Sequence, residues 1–401
     1  MSWPGPADTP APDPGRGASG PQWPPPPPPG GGRPAGPAGR PPARRGFWLL
    51  VFLAFLVVAA VIAAIVATHA PAGNPTSTSA RTSSGGGPPS IASRIEPGLV
   101  DITVTFGLQH GGGAATGMVL TTTGEVLTNN HVIDGATTVK ATDLGNGRVY
   151  SARVVGYDRR RDVAVLQLNG ASRLATVPLG HSATVSVGAA VAAVGNAGGL
   201  GGRPSVARGR VIAVGRSITA SDEGGGDFEH LTGLLETDAD IQPGDSGGPL
   251  VDRTIRVIAR DAAAAAGSSV HRGFAIPIDA AAAIARRIEA GRGSATVHVG
   301  PTAFLGVAIA SPRAVGGTTA SGGAFSGALV AGVLGGSPAQ RAGLAPGAVV
   351  THVDGRAVTS GAGLPDLLVP YHPGDQVSLR WVDQTGAAHT SRLTLAAGPP
   401  A

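Results

Sequence analysis

One uninterrupted apolar run, FWLLVFLAFLVVAAVIAAIVA at residues 47–67, separates two stretches of very different patterning. It carries no charge, and as a helix its 21 residues measure about 32 Å against a hydrocarbon core of about 30 Å. This predicts one transmembrane helix. Arg40, Arg44 and Arg45 precede the run and Thr68, His69 and Ala70 follow it, so the positive-inside rule places the N-terminus in the cytoplasm and the remainder outside. A cleaved signal peptide is the competing reading, against which stand the length of the run and of the arm before it. Residues 1–46 are crowded with proline, including Pro24–Pro29, and predict a disordered arm with polyproline II character. Residues 68–94 have the Ser, Thr, Pro and Gly content of a flexible linker.

Beyond the linker the pattern changes. From Ile95 to about Ser269, short Val, Ile and Leu runs such as LVDITVTF, DVAVLQL and GRVIAVGRSI recur between Gly and polar turns. Strand-length apolar runs at that spacing predict an all-β sandwich or a pair of barrels. IDAAAAIARRIEAG at 278–291 has apolar positions at helical spacing and a glycine at its end, which predicts a terminal helix. Residues 291–300 read as a linker. The segment 301–397 mixes strand runs (GALVAGV, AVVTHVDG, QVSLRWV, SRLTLAA) with two short helix candidates, enough for one small domain.

Composition narrows the chemistry. With 401 residues the chain has room for two or more domains. It has no cysteine, which excludes disulfides, thiol catalysis and cysteine metal sites. The net charge of +5 is concentrated in the N-terminal arm, so nothing calls for nucleic acid. Arg159, Arg160 and Arg161 read as a solvated loop, and GNAGGLGG at 195–202 as a turn, since it matches neither phosphate-binding glycine motif.

QPGDSGGPL at 242–250 places Ser246 among glycines. A serine hydroxyl is a weak nucleophile near neutral pH and needs a base, a group to orient that base, and donors for the oxyanion. Glycines leave room for a substrate carbonyl and let the Gly244 and Ser246 N–H groups turn toward one point. Alone, the motif favours a nucleophile over a plain turn without deciding between them. LTNNHVI at 127–133 sets His131 after a strand run, and RDVAVLQL at 161–168 opens a strand with Asp162. The order is His, Asp, Ser, with intervals of 31 and 84 residues that suit two residues in one barrel and the third in the next.

With TGMVLTTTGEVLTNNHVI, GYDRRRDVAVLQL, ETDADIQPGDSGGPLV and RGFAIPID, followed by FLGV and GSPAQRAGLAPGAVVTHVDG, the sequence resembles the HtrA (Deg) family of serine proteases, and within it the membrane-anchored actinobacterial members. The resemblance implies a mostly β fold: a chymotrypsin-like double β-barrel protease at 95–290, a PDZ domain at 301–397, and the transmembrane helix at 47–67. It implies Ser246 as nucleophile, His131 as base, Asp162 as its orienting carboxylate, and Gly244, Asp245 and Ser246 as the oxyanion hole. It implies a PDZ carboxylate-binding loop at Phe304, Leu305, Gly306 and Val307, where a peptide C-terminus adds as an edge strand. Unfolded or signalling polypeptides are the implied substrates, a homo-oligomer, by resemblance a trimer, is the implied assembly, and no metal or organic cofactor is expected. Asp240, six residues before Ser246, stands at the offset of the S1 acid in trypsin-like enzymes and is a candidate for the S1 pocket; a solvent-facing turn residue is the alternative.

The strand after Ser246 departs from the family's V-I-G-I-N-T type. DRTIRVIARDAAAAAG has Ile255 and Ala259 at the usual glycines, Arg260 within the strand, and Ala262 where a hydroxyl is common. A PDZ-dependent chaperone or scaffold with weak or no proteolysis is therefore the second reading.

Overall fold

The computed structural model describes residues 90–108, 111–221, 228–264, 272–310 and 326–401, all within one unit of the chain, Gly85–Ala401. The expected arm, transmembrane helix and most of the expected linker lie outside the described residues, among which no helix is long and apolar enough to cross a membrane.

The described residues reach slightly before the expected start at Ile95. Helix α1 (Ile91–Ile95) is capped by Ser90, whose hydroxyl accepts from the Ser93 N–H. Strands β1 (Leu99–Phe106), β2 (Gly111–Val119), β3 (Glu125–Thr128), β4 (Thr138–Asp143), β5 (Val149–Asp158) and β6 (Val163–Leu168) run antiparallel in the order β5-β4-β1-β2-β3-β6, and a β5–β6 pairing closes the ring. A one-turn helix, α2 (Asn130–Ile133), follows β3. Strands β7 (Ala190–Gly195), β8 (Ser205–Ser221), β9 (Phe228–Thr237), β10 (Pro249–Val251), β11 (Val257–Ala264) and β12 (Gly273–Pro277) close a second barrel in the order β10-β11-β12-β9-β8-β7. Closure leaves the second sheet without an open edge and the first with one only along the end of β5, Gly156–Asp158, which runs past β4.

The period-2 pattern of each strand decides which core it feeds. On β1, Val100, Ile102 and Val104 fill the first barrel, whereas Leu99 faces the other way. Leu99 joins Met118, Leu127 and Val165 of the first barrel and Val194, Leu234, Val257 and Ile276 of the second in one buried cluster between them. Helix α3 (Ile278–Glu289) packs on that cluster through Ile278, Ala281, Ala285 and Ile288, a stripe at helical spacing. Asp279 in its first turn and Arg286 and Arg287 in its last suit the helix dipole.

The expected linker at 291–300 is partly a strand. β13 (Val297–Val299) pairs with β5, and His298 is buried, its Nδ1 2.8 Å from the Val369 carbonyl and its Nε2 3.1 Å from that of Pro301. Strands β14 (Thr302–Phe304), β15 (Val307–Ile309), β16 (Ala328–Val333), β17 (Val349–Val353), β18 (Arg356–Ala357), β19 (Gln376–Val382), β20 (Ala388–Thr394) and β21 (Ala396–Gly398) build the C-terminal domain with helices α4 (Pro338–Arg341) and α5 (Gly363–Leu368). Its main sheet runs β15-β16-β17-β19-β20, which leaves β15 as an edge strand, and β14 pairs with β21. Leu305, Val330, Val350, Leu364, Leu379 and Trp381 fill its own core.

Candidate active site

His131 enters the site because β3 ends at Thr128 and the chain turns at once into α2. Asp162 arrives just before β6, the strand paired with β3 with Ala164 opposite Thr128, at the end of a 3-10 turn over Arg159–Arg161, with left-handed angles of φ 51° and ψ 45°. That conformation is uncommon for a residue with a Cβ and aims the carboxylate at His131. His131 Nδ1 lies 3.1 Å from both Asp162 oxygens, and the His131 backbone N–H donates to Asp162 Oδ1 at 3.0 Å. The Asn129 side-chain N–H donates to Asp162 Oδ2. Burial pushes the Asp162 carboxyl upward, but the His131 imidazole facing it, with its hydrogen bonds, and the Arg260 charge outweigh that cost and hold it below the ordinary carboxylate range.

The Ser246 loop hangs between the barrels. Gly244 has φ +95° and Gly247 φ +87°, and a Cβ on either would overlap a backbone carbonyl, of Asn196 and Thr116 respectively. Thr116 reaches across from the first barrel: its Oγ1–H donates to the Gly244 carbonyl at 2.9 Å, the same oxygen accepts the Asn196 N–H at 2.9 Å, and its own N–H donates to the Ser246 carbonyl at 2.9 Å. Gly198 in the turn after β7 donates to the Pro243 carbonyl at 2.7 Å, so GNAGGLGG is a brace for this loop. Among the described residues, neither the Gly244 nor the Ser246 N–H has a hydrogen-bond partner within the protein. The Asp245 N–H differs: it donates to the Gln242 carbonyl at 3.0 Å, while its buried carboxylate accepts from the Gln242 N–H at 3.0 Å and the Ser205 hydroxyl at 3.1 Å. Two donors of the expected three are thus free to face a ligand, and Asp245 supports the turn that carries them.

His131, Gly244 and Ser246 line one cavity of about 1230 Å³, and Phe304, Leu305, Gly306 and Val307 line it too, with Leu364 of α5. The expected peptidase and PDZ residues therefore border a common space. Gly306 has φ +82°, and the Leu305 and Gly306 carbonyls are taken by the Ala339 and Leu334 N–H groups at 3.0 and 2.9 Å. Asp240 is placed elsewhere. It is exposed, does not line this cavity, and its Oδ1 accepts from the Gln242 side chain at 2.6 Å.

The solvated-loop reading of Arg159–Arg161 is corrected for Arg159. Its side chain is 9% exposed, and its Nη1 donates to Asp366 Oδ1 on α5 at 3.1 Å. Sequence reasoning also missed Asn129 and Thr116. The paired asparagines of LTNNHVI were a signal for the first; nothing marked the second, whose role depends on contacts 80 and 128 positions away.

A trypsin-like peptidase domain matches residues 115–259 and a PDZ domain matches residues 329–382. Two closed barrels with a His–Asp pair in one and a glycine-flanked serine between them, followed by the C-terminal sheet, define a trypsin-like peptidase joined to a PDZ domain. The chain carries both of these domains and is similar to HtrA-type serine proteases. It is 33% identical over 326 residues to the serine protease PepD of Mycobacterium tuberculosis, covering 76% of this chain and 65% of that one. It is 34% identical over 275 residues to the periplasmic serine endoprotease DegP of Salmonella typhimurium, covering 68% of this chain and 54% of that one. The chain thus spans less than two thirds of either relative's length. Among solved structures, the HtrA-type protease AlgW with a decapeptide is similar, at 26% identity and a TM-score of 0.43, over 78% of this chain and 98% of that one.

Proposed function

We propose that the chain is a serine endopeptidase that hydrolyses peptide bonds of unfolded or signalling proteins outside the cytoplasm, held at the membrane by residues 47–67. The observation that carries the chemistry is the Asp162–His131 pair, 3.1 Å apart, with His131 and Ser246 lining one cavity. Ser246 attacks the scissile carbonyl carbon while His131 Nε2 takes its hydroxyl proton. Asp162 keeps the Nδ1 proton of His131 and stabilises the imidazolium. The carbonyl oxygen, now an oxyanion, accepts from the Gly244 and Ser246 N–H groups, where each such donor is worth about 3 to 4 kcal/mol in the transition state. Collapse breaks the C–N bond, and His131 passes its proton to the leaving amine. Water then attacks the acyl-serine by the same route and frees Ser246.

The PDZ domain takes a polypeptide C-terminus. The open edge of β15 offers backbone pairing, α5 closes the groove with Leu364, and the Phe304–Val307 loop receives the carboxylate. Extracytoplasmic placement is supported by the arginines before residue 47 and by the periplasmic relatives. A homo-oligomer, by resemblance a trimer, is proposed from the family likeness.

The full chain in detergent should digest casein, and Ser246→Ala should reduce the rate at least a thousandfold with unchanged circular dichroism. A folded wild type that leaves casein intact, or an S246A variant that digests it equally, would return the chain to the chaperone or scaffold reading.

A further inference from the structure

Among the described residues, Arg260 is one of the largest side chains that the fold buries completely. It lies on β11 of the second barrel, opposite Ile276 of β12, at a place where the family strand is apolar. A buried guanidinium needs both hydrogen-bond partners and counter-charge to be tolerated. Its Nη2 donates to the backbone carbonyl of Asp162, 98 positions earlier and in the other barrel. That carbonyl belongs to the residue held left-handed at φ 51°, whose carboxylate orients His131.

We propose that Arg260 is a positioning residue for the orienting aspartate: its guanidinium grips the Asp162 carbonyl from the second barrel, holds that residue in its left-handed turn, and sets a positive charge behind the Asp162–His131 pair. The assignment rests on the peptidase reading and adds to it a fourth member of the site. A second cation facing one carboxylate competes with the imidazolium for its field, so His131 is a weaker base here than beside an uncompensated aspartate. The surrounding charges are accounted for. Asp261, next to Arg260, is fully buried, its carboxylate oxygens have no hydrogen-bond partner among the described residues, and burial followed by the Asp245 charge pushes it well above the ordinary range against the pull of Arg260. On the turn before Asp162, Arg159 is engaged by Asp366 and Asp134, and Arg161 faces Asp158. From α2, His131 itself is the facing group, and Asn129 is neutral.

The test follows the His131 imidazole by NMR in the full chain carrying ring-labelled histidine, with Ser246→Ala as parent and the His131 resonance assigned by its loss in His131→Gln. Arg260→Met should raise the titration midpoint by about half to one pH unit, and Arg260→Lys should return it toward the parent. In the Ser246 background, Arg260→Met should lower kcat/KM about ten- to a hundredfold, mainly through kcat, and move its acidic limb upward by the same amount. If Met at 260 does not fold, the pair Arg260→Ile with Asp261→Asn restores an uncharged strand and should show the same upward shift. A folded variant whose midpoint stays within about 0.2 unit of the parent overturns the proposal, as does collapse of both variants, which would make Arg260 a strut for the fold alone. The midpoint is read in a protein that hydrolyses nothing. A shift in a chain inert toward casein would therefore retain this inference and reject the peptidase reading.

Discussion

Arg159 donates from Nη1 to Asp366 Oδ1 at 3.1 Å, tying the turn that ends at Asp162 to helix α5 of the PDZ domain. Arg160 contacts the same carboxylate at 3.2 Å, but its side chain is 64% exposed against 9% for Arg159. Two ion pairs of similar length thus differ in solvation. Asp366 is itself 31% exposed, so screening tempers the penalty of leaving Arg159 without it. Asp366→Asn should cost about 1 to 2 kcal/mol, and Arg160→Met less than about 0.5 kcal/mol. Thermal unfolding of the two variants side by side checks this, and equal losses would refute it.

Gly247 and Gly170 both have positive φ, at +87° and +72°, yet a Cβ at Gly247 would run into Thr116 and Thr128 while one at Gly170 meets nothing within 4 Å. Gly170→Ala should therefore cost about 1 kcal/mol of backbone strain and leave hydrolysis intact. Gly247→Ala should cost more in stability and abolish most activity, because the clash displaces Ser246. Urea unfolding and casein digestion of the pair give the comparison.

Asp101 sits on β1 opposite Thr116, and burial pushes its carboxyl from 3.8 up to about 6, against the pull of the Gly202 N–H. The unfolded chain ionises this group near 3.8, whereas the native fold resists until about 6, so Asp101 makes stability fall as pH rises across that window. Other buried carboxyls share this sign and Asp162 has the opposite one, which makes the difference from Asp101→Asn the informative quantity. The variant should gain stability over wild type between pH 4 and 6 and hold that gain above 6. A constant difference across pH 3.5 to 7.5 would contradict it.

Because Asp240 is exposed and hydrogen-bonded to Gln242, Asp240→Ala should leave the preferred P1 residues unchanged, with small apolar side chains leading. Profiling both proteins on one peptide library decides. A basic P1 preference lost in the variant would restore Asp240 to the pocket.

The features legible in the sequence were those with local causes. Helix 278–289 showed its apolar stripe and its flanking charges, and His131, Asp162 and Ser246 stood in motifs whose neighbours serve their geometry. What escaped depended on partners far along the chain. The three-residue strand Val297–Val299 lies among glycines and serines, too short to show a period, and exists because β5 has an edge to offer. Three consecutive arginines look solvated until Asp366, 207 positions away, claims the first. Arg260 was visible as an oddity in a strand, but its meaning came only when the fold brought it under Asp162. Ile255 likewise holds φ +62° where the family uses glycine, tolerated because its side chain is buried in the cluster between the barrels.

The central claim is that Ser246 is a nucleophile activated by His131, and covalent trapping measures that without any choice of substrate. The full chain treated with a fluorophosphonate should acquire one adduct, mapped by mass spectrometry to the peptide containing Ser246. It should be absent in Ser246→Ala and slowed at least a hundredfold in His131→Ala. A folded wild-type chain that takes no adduct, or takes it at another serine at the same rate with and without His131, would contradict the account.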